Sequence, residues 1–338
     1  MPAEPVPVTR VLSGIQPTGD LHLGNLLGAI LRWVTMQGEA PCLFFLADLH
    51  SLSEHVDPAT RRANVREMAA ALIASGIDPA KSVLFAQSAV PAHAELCWLL
   101  NGTARMGWLS RMTQWKDKSG KNKEGASVAL FDYPVLQAAD ILLYRASHVP
   151  VGEDQKQHIE LTRDIAIKFN TDYDTDLFVA PEPFIGAGAA ARVMSLRDGS
   201  AKMSKSDPSD MSRVNLIDDD DTIASKVRKA RTDPDPLPDD PALLASRPEA
   251  RNLVGIMAAV TGRTELAVCR DFAGQGFGTF KPALADALVA LLGPIRSRLE
   301  QLRADPAMLD RELANGAERA AEIAAPTLDG AYRAVGLR

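Results

Sequence analysis

Several features are missing from the 338-residue chain, and each absence removes a class of protein. No apolar run reaches the roughly 18 residues that a membrane-spanning helix needs. The opening MPAEPVPVTR lacks the basic-then-apolar build of a secretion signal, so the cytoplasm is expected. Cysteine is scarce: Cys42, Cys97 and Cys269 lie far apart, are odd in number and form no C-x-x-C pair. A disulfide framework and a cysteine metal site are thereby excluded, and no other metal-ligating set is recognised. Excess positive charge is also missing. The net charge of −6 argues against indiscriminate nucleic-acid binding but leaves room for a local basic face. There is no internal repeat, and the one biased stretch is the Asp/Pro-rich TDPDPLPDDP.

What is present is ordinary soluble-domain material, 46% hydrophobic and 24% charged, in a chain long enough for two domains. RVLSGI, CLFFLADLH and SVLFAQS have the length and apolar character of buried strands. LLGAILRWV and RRANVREMAAALIASGI show helical periodicity, the latter closed by Gly76. Strand alternating with helix predicts an α/β fold, a Rossmann-like parallel sheet with helices on both faces. In such sheets chemistry collects at the carboxyl ends of strands, where Gly14, Asp48–His50 and Gln87–Ser88 fall. QWKDKSGKNKEG reads as a polar mobile loop, and YPVLQAADILLYRA as a helix with Pro134 in its first turn. Beyond about Arg213 only helices are expected, with Pro326 kinking or interrupting the last one. The organisation expected is a catalytic domain over 1–212, with an inserted helical segment around 98–150, and an all-helical domain over 213–338.

Two short segments carry the chemical signal. In SGIQPTGDLHLGN, glycines after a strand allow close approach to the backbone. The helix starting near Gly24 would offer N–H groups to an anion, and His22 a further hydrogen bond to a phosphoryl oxygen. Alone, the stretch is as well read as a tight turn with a surface histidine. In AKMSKSDP, Lys202 and Lys205 alternate with Ser204 and Ser206, a cationic and donor-rich segment suited to closing over a leaving phosphate. Alone, it is as well read as an exposed polar loop.

Together His22-Leu23-Gly24-Asn25 and Lys202-Met203-Ser204-Lys205-Ser206 resemble the two signatures of class I aminoacyl-tRNA synthetases. The second is an uninterrupted match; the first departs from the HIGH form at Leu23 and Asn25. With YPVLQAADILLY and VPVGEDQKQHIELTRDIA, nearly the whole chain is similar to the bacterial and mitochondrial tryptophanyl-tRNA synthetases, in which Asn at the fourth position is usual. The resemblance implies activation of tryptophan with ATP, Mg2+ on the phosphates, tRNA(Trp) as partner, an anticodon-binding role for the helical domain and a homodimer.

It also implies site residues. His22, Lys202, Lys205 and Lys118 would act on the phosphates. Gln16, Pro17, Thr18, Gly24, Asn25, Val193, Met203, Ser204 and Ser206 would surround ATP, with Gly152, Glu153 and Asp154 at its ribose and adenine. His50 and Gln155 would face the amino acid. Tyr133, Gln137 and Asp140 share one helical face by their spacing. A carboxylate among Ala138, Ala139, Ile141 and Leu142 is costly if buried without a partner, and the resemblance makes it the acceptor of the indole N–H. Many tryptophanyl enzymes have Met where Gln137 stands. Tyr133-x-x-x-Gln137-x-x-Asp140 is also similar to the tyrosine-binding helix of archaeal-type tyrosyl enzymes, so tyrosine is the alternative substrate. A small-molecule adenylyltransferase and a non-catalytic tRNA-binding paralogue are the more distant readings.

Outside these motifs, Lys226, Arg228, Lys229 and Arg231 in SKVRKAR form either a solvated helix face or a track for tRNA phosphates. Asp218–Asp221 complement a helix dipole. His55, His93, His148 and His158 are given no role.

Overall fold

Five strands form one sheet: β1 (Val11–Ile15), β2 (Cys42–Leu46), β3 (Val83–Ala86), β4 (His148–Pro150) and β5 (Glu182–Phe184). A computed structural model describes residues 10–119, 124–150, 156–184 and 192–338. The strand order is β3-β2-β1-β4-β5, and every pair is parallel. Strands β2 and β3 are buried along their whole length, as expected for parallel strands covered on both faces. The chain winds outward from β1 to β3 and then returns to the other side of β1 for β4. The crevice beyond the carboxyl ends therefore opens between β1 and β4.

Helix α1 (Leu23–Asn25) runs through a wider π segment, Leu26–Ile30, into α2 (Leu31–Met36). Helix α3 (Pro58–Ala74) starts where the Asp57 carboxylate accepts the Thr60 N–H at 2.9 Å, and the chain turns away at Gly76 with φ +110°. Helices α4 (Ala92–Asn101), α5 (Met106–Leu109), α6 (Thr113–Ser119) and α7 (Val128–Leu143) follow, then α8 (Lys156–Asp172). Two expectations are corrected here. The first part of the lysine-rich segment is helix α6 and not loop. Pro134 lies inside α7, because the Ser127 hydroxyl caps the Leu130 N–H and starts the helix further upstream.

The remainder is helical: α9 (Asp220–Arg228), α10 (Pro248–Thr261), α11 (Glu265–Asp271), α12 (Phe277–Arg303) and α13 (Pro306–Ala334). Pro326 does not end α13. One backbone bond is lost there, but Ala320, Ala324, Leu328 and Ala331 stay packed on the sheet-side core and the helix continues to Ala334. Gly316 lets α13 press on the Leu84 peptide of β3, where any Cβ would overlap the Leu84 carbonyl. The helix thus covers the outer strand of the sheet. Helix α12 has the length and hydropathy of a membrane span, but Phe280, Leu284, Leu288, Leu292 and Leu299 are buried in the core shared with α1–α3. Arg303–Glu67 and Arg66–Asp310 ion pairs tie the last two helices to α3.

Candidate active site

A cavity of about 380 Å³ lies at the carboxyl ends of β1, β2 and β4. Its wall runs from Gly14 and Gln16, past His50, to Tyr133, Gln137 and Asp140 of α7. One continuous space therefore joins the first sequence motif to the helix face predicted to hold an amino acid. A Cβ on Gly14 would overlap the ring tip of Phe45, so a larger residue there would have to displace that ring from the cavity wall.

Asp140 is 1% exposed, and its charge is matched by three donors. His50 Nε2 lies 2.8 Å from Oδ2; Gln87 Nε2 and His93 Nδ1 each lie 2.7 Å from Oδ1. Burial alone would raise the carboxyl, but the His50 and His93 hydrogen bonds outweigh it and hold the group at about 2. A carboxylate only accepts, so both histidines present N–H to it. This leaves His93 Nε2 to accept from the Tyr144 hydroxyl at 2.8 Å. Gln87 cannot flip, since its Oε1 accepts the Leu49 N–H at 3.2 Å. With two donors on Oδ1 and one on Oδ2, a single acceptor position remains, on Oδ2. Nearby, the Tyr133 hydroxyl meets Gln114 Oε1 and His158 Nε2, and its ring stands edge-on to His50 at 6.1 Å.

The second half of the site is built around His22. Its Nδ1 accepts the Gly24 N–H at 3.1 Å, and Asn25 Oδ1 accepts the His22 N–H at 3.1 Å, a reciprocal cap. The N–H groups of Leu23 and Asn25 are bound to Val214 O and His22 O. This differs from the expectation that the first turn offers free N–H groups to an anion: the protein uses them itself. What the turn does present is the imidazole. With Nδ1 accepting, the proton of the neutral ring sits on Nε2. Burial, then Lys205, Arg213 and Lys202, hold the pKa down at about 4 from an ordinary 6.5. The ring is therefore an uncharged, oriented donor at neutral pH. Gly24 is tied to the same device, because a Cβ there would stand 3.0 Å from the His22 ring.

Lys205 reaches across to this turn and donates to Thr18 O and Oγ1. The desolvation at that contact lowers its ammonium from the usual value. Met203 is buried, and its N–H donates to Val193 O at 3.1 Å, while the Asn252 side chain holds the Met194 backbone at 2.9 and 3.0 Å. Val193 is thus a core residue whose carbonyl is occupied by Met203. Beside the contact in sequence, Gln16 and Ser206 are exposed, Ser204 is half-buried and Pro17 is buried. The two motifs, distant in sequence, form one cluster.

Gly152, Glu153, Asp154 and Gln155 lie outside the described residues, as does the side chain of Lys118. Lys226 departs from its sequence reading. It has no exposed surface and pairs with Asp210 and Asp218, so it is unavailable to RNA phosphates. Asp218 serves that pair and not the dipole, whereas Asp219 caps α9 through Thr222 N at 2.7 Å. Arg228, Lys229 and Arg231 remain exposed. Gln114 lines the cavity, and His93, Tyr144 and His158 stand behind it, bonded to Asp140, His93 and Tyr133; no local sequence signal marks any of the four. Gln87 had one signal, its place at the end of a strand.

The family model of the class I tRNA synthetases (W and Y) matches residues 6–293. The tryptophan–tRNA ligase of Caulobacter vibrioides is 60% identical over 97% of this chain and 95% of its own. Among solved structures, the tryptophanyl-tRNA synthetase of Mycoplasma pneumoniae superposes with a TM-score of 0.87 at 32% identity, covering 98% of both chains. That of Campylobacter jejuni, complexed with ADP and tryptophan, gives 0.81 at 35% identity, covering 97% of this chain and all of that one.

Proposed function

The chain belongs to the class I tRNA synthetases for tryptophan and tyrosine, and from that membership we infer a tryptophan–tRNA ligase working through the cavity described. The tryptophan carboxylate attacks the α-phosphorus of ATP, forming tryptophanyl-adenylate as the α–β bridging bond breaks and pyrophosphate leaves. A hydroxyl of the 3′-terminal tRNA ribose, the 2′ in this class, then attacks the acyl carbon and releases AMP. Tyrosine, the alternative raised by Tyr133, Gln137 and Asp140, is set aside because the relatives at half identity or more are tryptophan enzymes.

The observation that carries this reading is the cavity that runs from Asp140 to Gln16; the amino acid would lie at its Asp140 end and the nucleotide beyond Gln16, toward His22. Asp140 takes the indole N–H on its remaining Oδ2 position, with Tyr133, Gln137 and His50 around the ring and Gln155 at the polar end. Gln16, Pro17, Thr18, Gly24, Asn25 and Val193 border ATP, Gly152, Glu153 and Asp154 its ribose and adenine. The phosphates lie between the His22 Nε2–H and the segment Lys202–Ser206, with Lys118 as a further phosphate contact. Lys205 exchanges Thr18 for phosphate oxygens as charge develops on pyrophosphate, so alignment and fixed charge do most of the catalytic work. Among the described residues no three His, Cys, Asp or Glu side chains converge on a metal position. Mg2+ would enter with the ATP phosphates, whose charge it would offset.

Residues 213–338 are assigned to tRNA, with Arg228, Lys229 and Arg231 as phosphate contacts. Trp98, Met106 and Val128 are exposed on helices α4, α5 and α7 and suit a homodimer contact. Cytoplasmic residence follows from the substrate, tRNA. The test is Lys205→Ala: ATP–pyrophosphate exchange slows by about 10²-fold or more while tryptophan affinity holds. Equal loss of both would refute the role.

A further inference from the structure

Lys226 on α9 is among the largest wholly buried side chains among the described residues, it does not line the cavity, and no catalytic step uses it. Its ammonium lies 2.6 Å from Asp210 Oδ2 and 2.6 Å from Asp218 Oδ2. Burying an ammonium is expensive unless it is paired, so these contacts define what the residue is for.

Asp210 leads to the Lys205 half of the phosphate clamp and also accepts from Asn215 Nδ2 at 3.0 Å, while Asp218 leads to the His22 half. Asp210 lies just beyond the segment Lys202–Ser206 and meets Arg213 at 3.2 Å, and Arg213 donates to Asp207 O at 3.1 Å. Asp207 in turn accepts the Ser209 N–H at 2.8 Å. The downstream end of the Lys205 tip is thereby fixed, as Met203 and Val193 fix the upstream end. Asp218 accepts the Asn215 N–H at 2.9 Å. Asn215 sits in an antiparallel bridge with His22, flanked by Leu23 N to Val214 O at 2.8 Å and Leu216 N to Leu21 O at 3.0 Å. The same lysine thus holds the strand that seats His22 and the loop root that carries Lys205. Arg296 of α12 binds Asp218 O at 2.5 Å, anchoring the arrangement to the helical region.

We propose that Lys226 is a positioning residue for amino-acid activation: by pinning Asp210 and Asp218 together it sets the spacing between His22 and Lys205 on which transition-state binding depends. This rests on the clamp role given above to Lys205.

The test is a double-mutant cycle between Asp210→Asn and Lys205→Ala, read by ATP–pyrophosphate exchange, tryptophan KM and thermal midpoint. Asp210 is half exposed and Asp218 still pairs Lys226 when it is replaced, and the thermal midpoint reports any loss of packing. Asp210→Asn is expected to lower exchange kcat about tenfold with tryptophan KM unchanged, and to cost nothing further in the Lys205→Ala background. Lys226→Met, if it folds, should show the same split and the same loss of effect without Lys205. An equal fall in both backgrounds, or undiminished kcat in folded Asp210→Asn, would overturn the proposal. Full exchange by Lys205→Ala alone would instead overturn the clamp, and with it the tie.

Discussion

The most informative perturbation of the amino-acid pocket is made on the substrate. Truncating Asp140 would strand His50 Nε2, Gln87 Nε2 and His93 Nδ1, three buried donors within 2.8 Å of its carboxylate. A tryptophan analogue whose ring N–H is replaced by sulfur leaves all of those bonds intact. It removes only the donor proposed for the last acceptor position on Oδ2. A hydrogen bond to a charged group contributes about 1.5–3 kcal/mol, which corresponds to about 10- to 150-fold in kcat/KM. The ring shape and apolar area are nearly conserved, so the difference isolates that one bond. ATP–pyrophosphate exchange at subsaturating analogue gives the ratio directly. A ratio within about twofold of unity would refute indole recognition by Asp140, since such a bond cannot cost so little when the acceptor is buried.

Three other outcomes follow from the geometry. NMR titration of the ATP-free enzyme should show His22 uncharged down to about pH 4. Because the unfolded chain protonates at its ordinary value, the stability tied to this group is complete above pH 6.5. It falls by about 3 kcal/mol as pH drops towards 4, and a folded-state value near 6.5 would contradict this. Asp140→Ala should lower stability by about 3–6 kcal/mol from its stranded donors, a large share of the whole, so its urea midpoint must fall sharply before any activity is read. The proposed homodimer contact is tested by sedimentation: the wild-type chain should run as a dimer and Trp98→Glu as a folded monomer, Trp98 being 78% exposed within one chain, and a wild-type monomer would refute the contact.

Residues whose role is local in sequence were legible. His22–Asn25 and Lys202–Ser206 are linear signatures, and the strand-helix alternation is a period-level signal that the parallel sheet bears out. Asp140 stood out because a carboxylate in an apolar helix demands partners, but nothing local says which. Those partners come from the end of β3, from α4 and from the turn after β2, and only the closed sheet brings them together. The same holds for Lys226. A basic run looks solvated in sequence, and its burial is decided by Asp210 and Asp218 on a different loop. The glycines were legible as constrained positions, but that a Cβ at Gly14 or Gly24 would meet Phe45 or His22 is visible only in the fold. Pro134 lies deeper in its helix than expected and Pro326 does not interrupt its own, because a cap and tertiary packing outweigh a single lost backbone bond.

The central claim is tested most directly by ATP–pyrophosphate exchange with each of the twenty amino acids offered singly. The account predicts rapid exchange with tryptophan and background with the other nineteen, tyrosine and phenylalanine included. Exchange driven by tyrosine at a comparable kcat/KM, or by no amino acid at all, would contradict it.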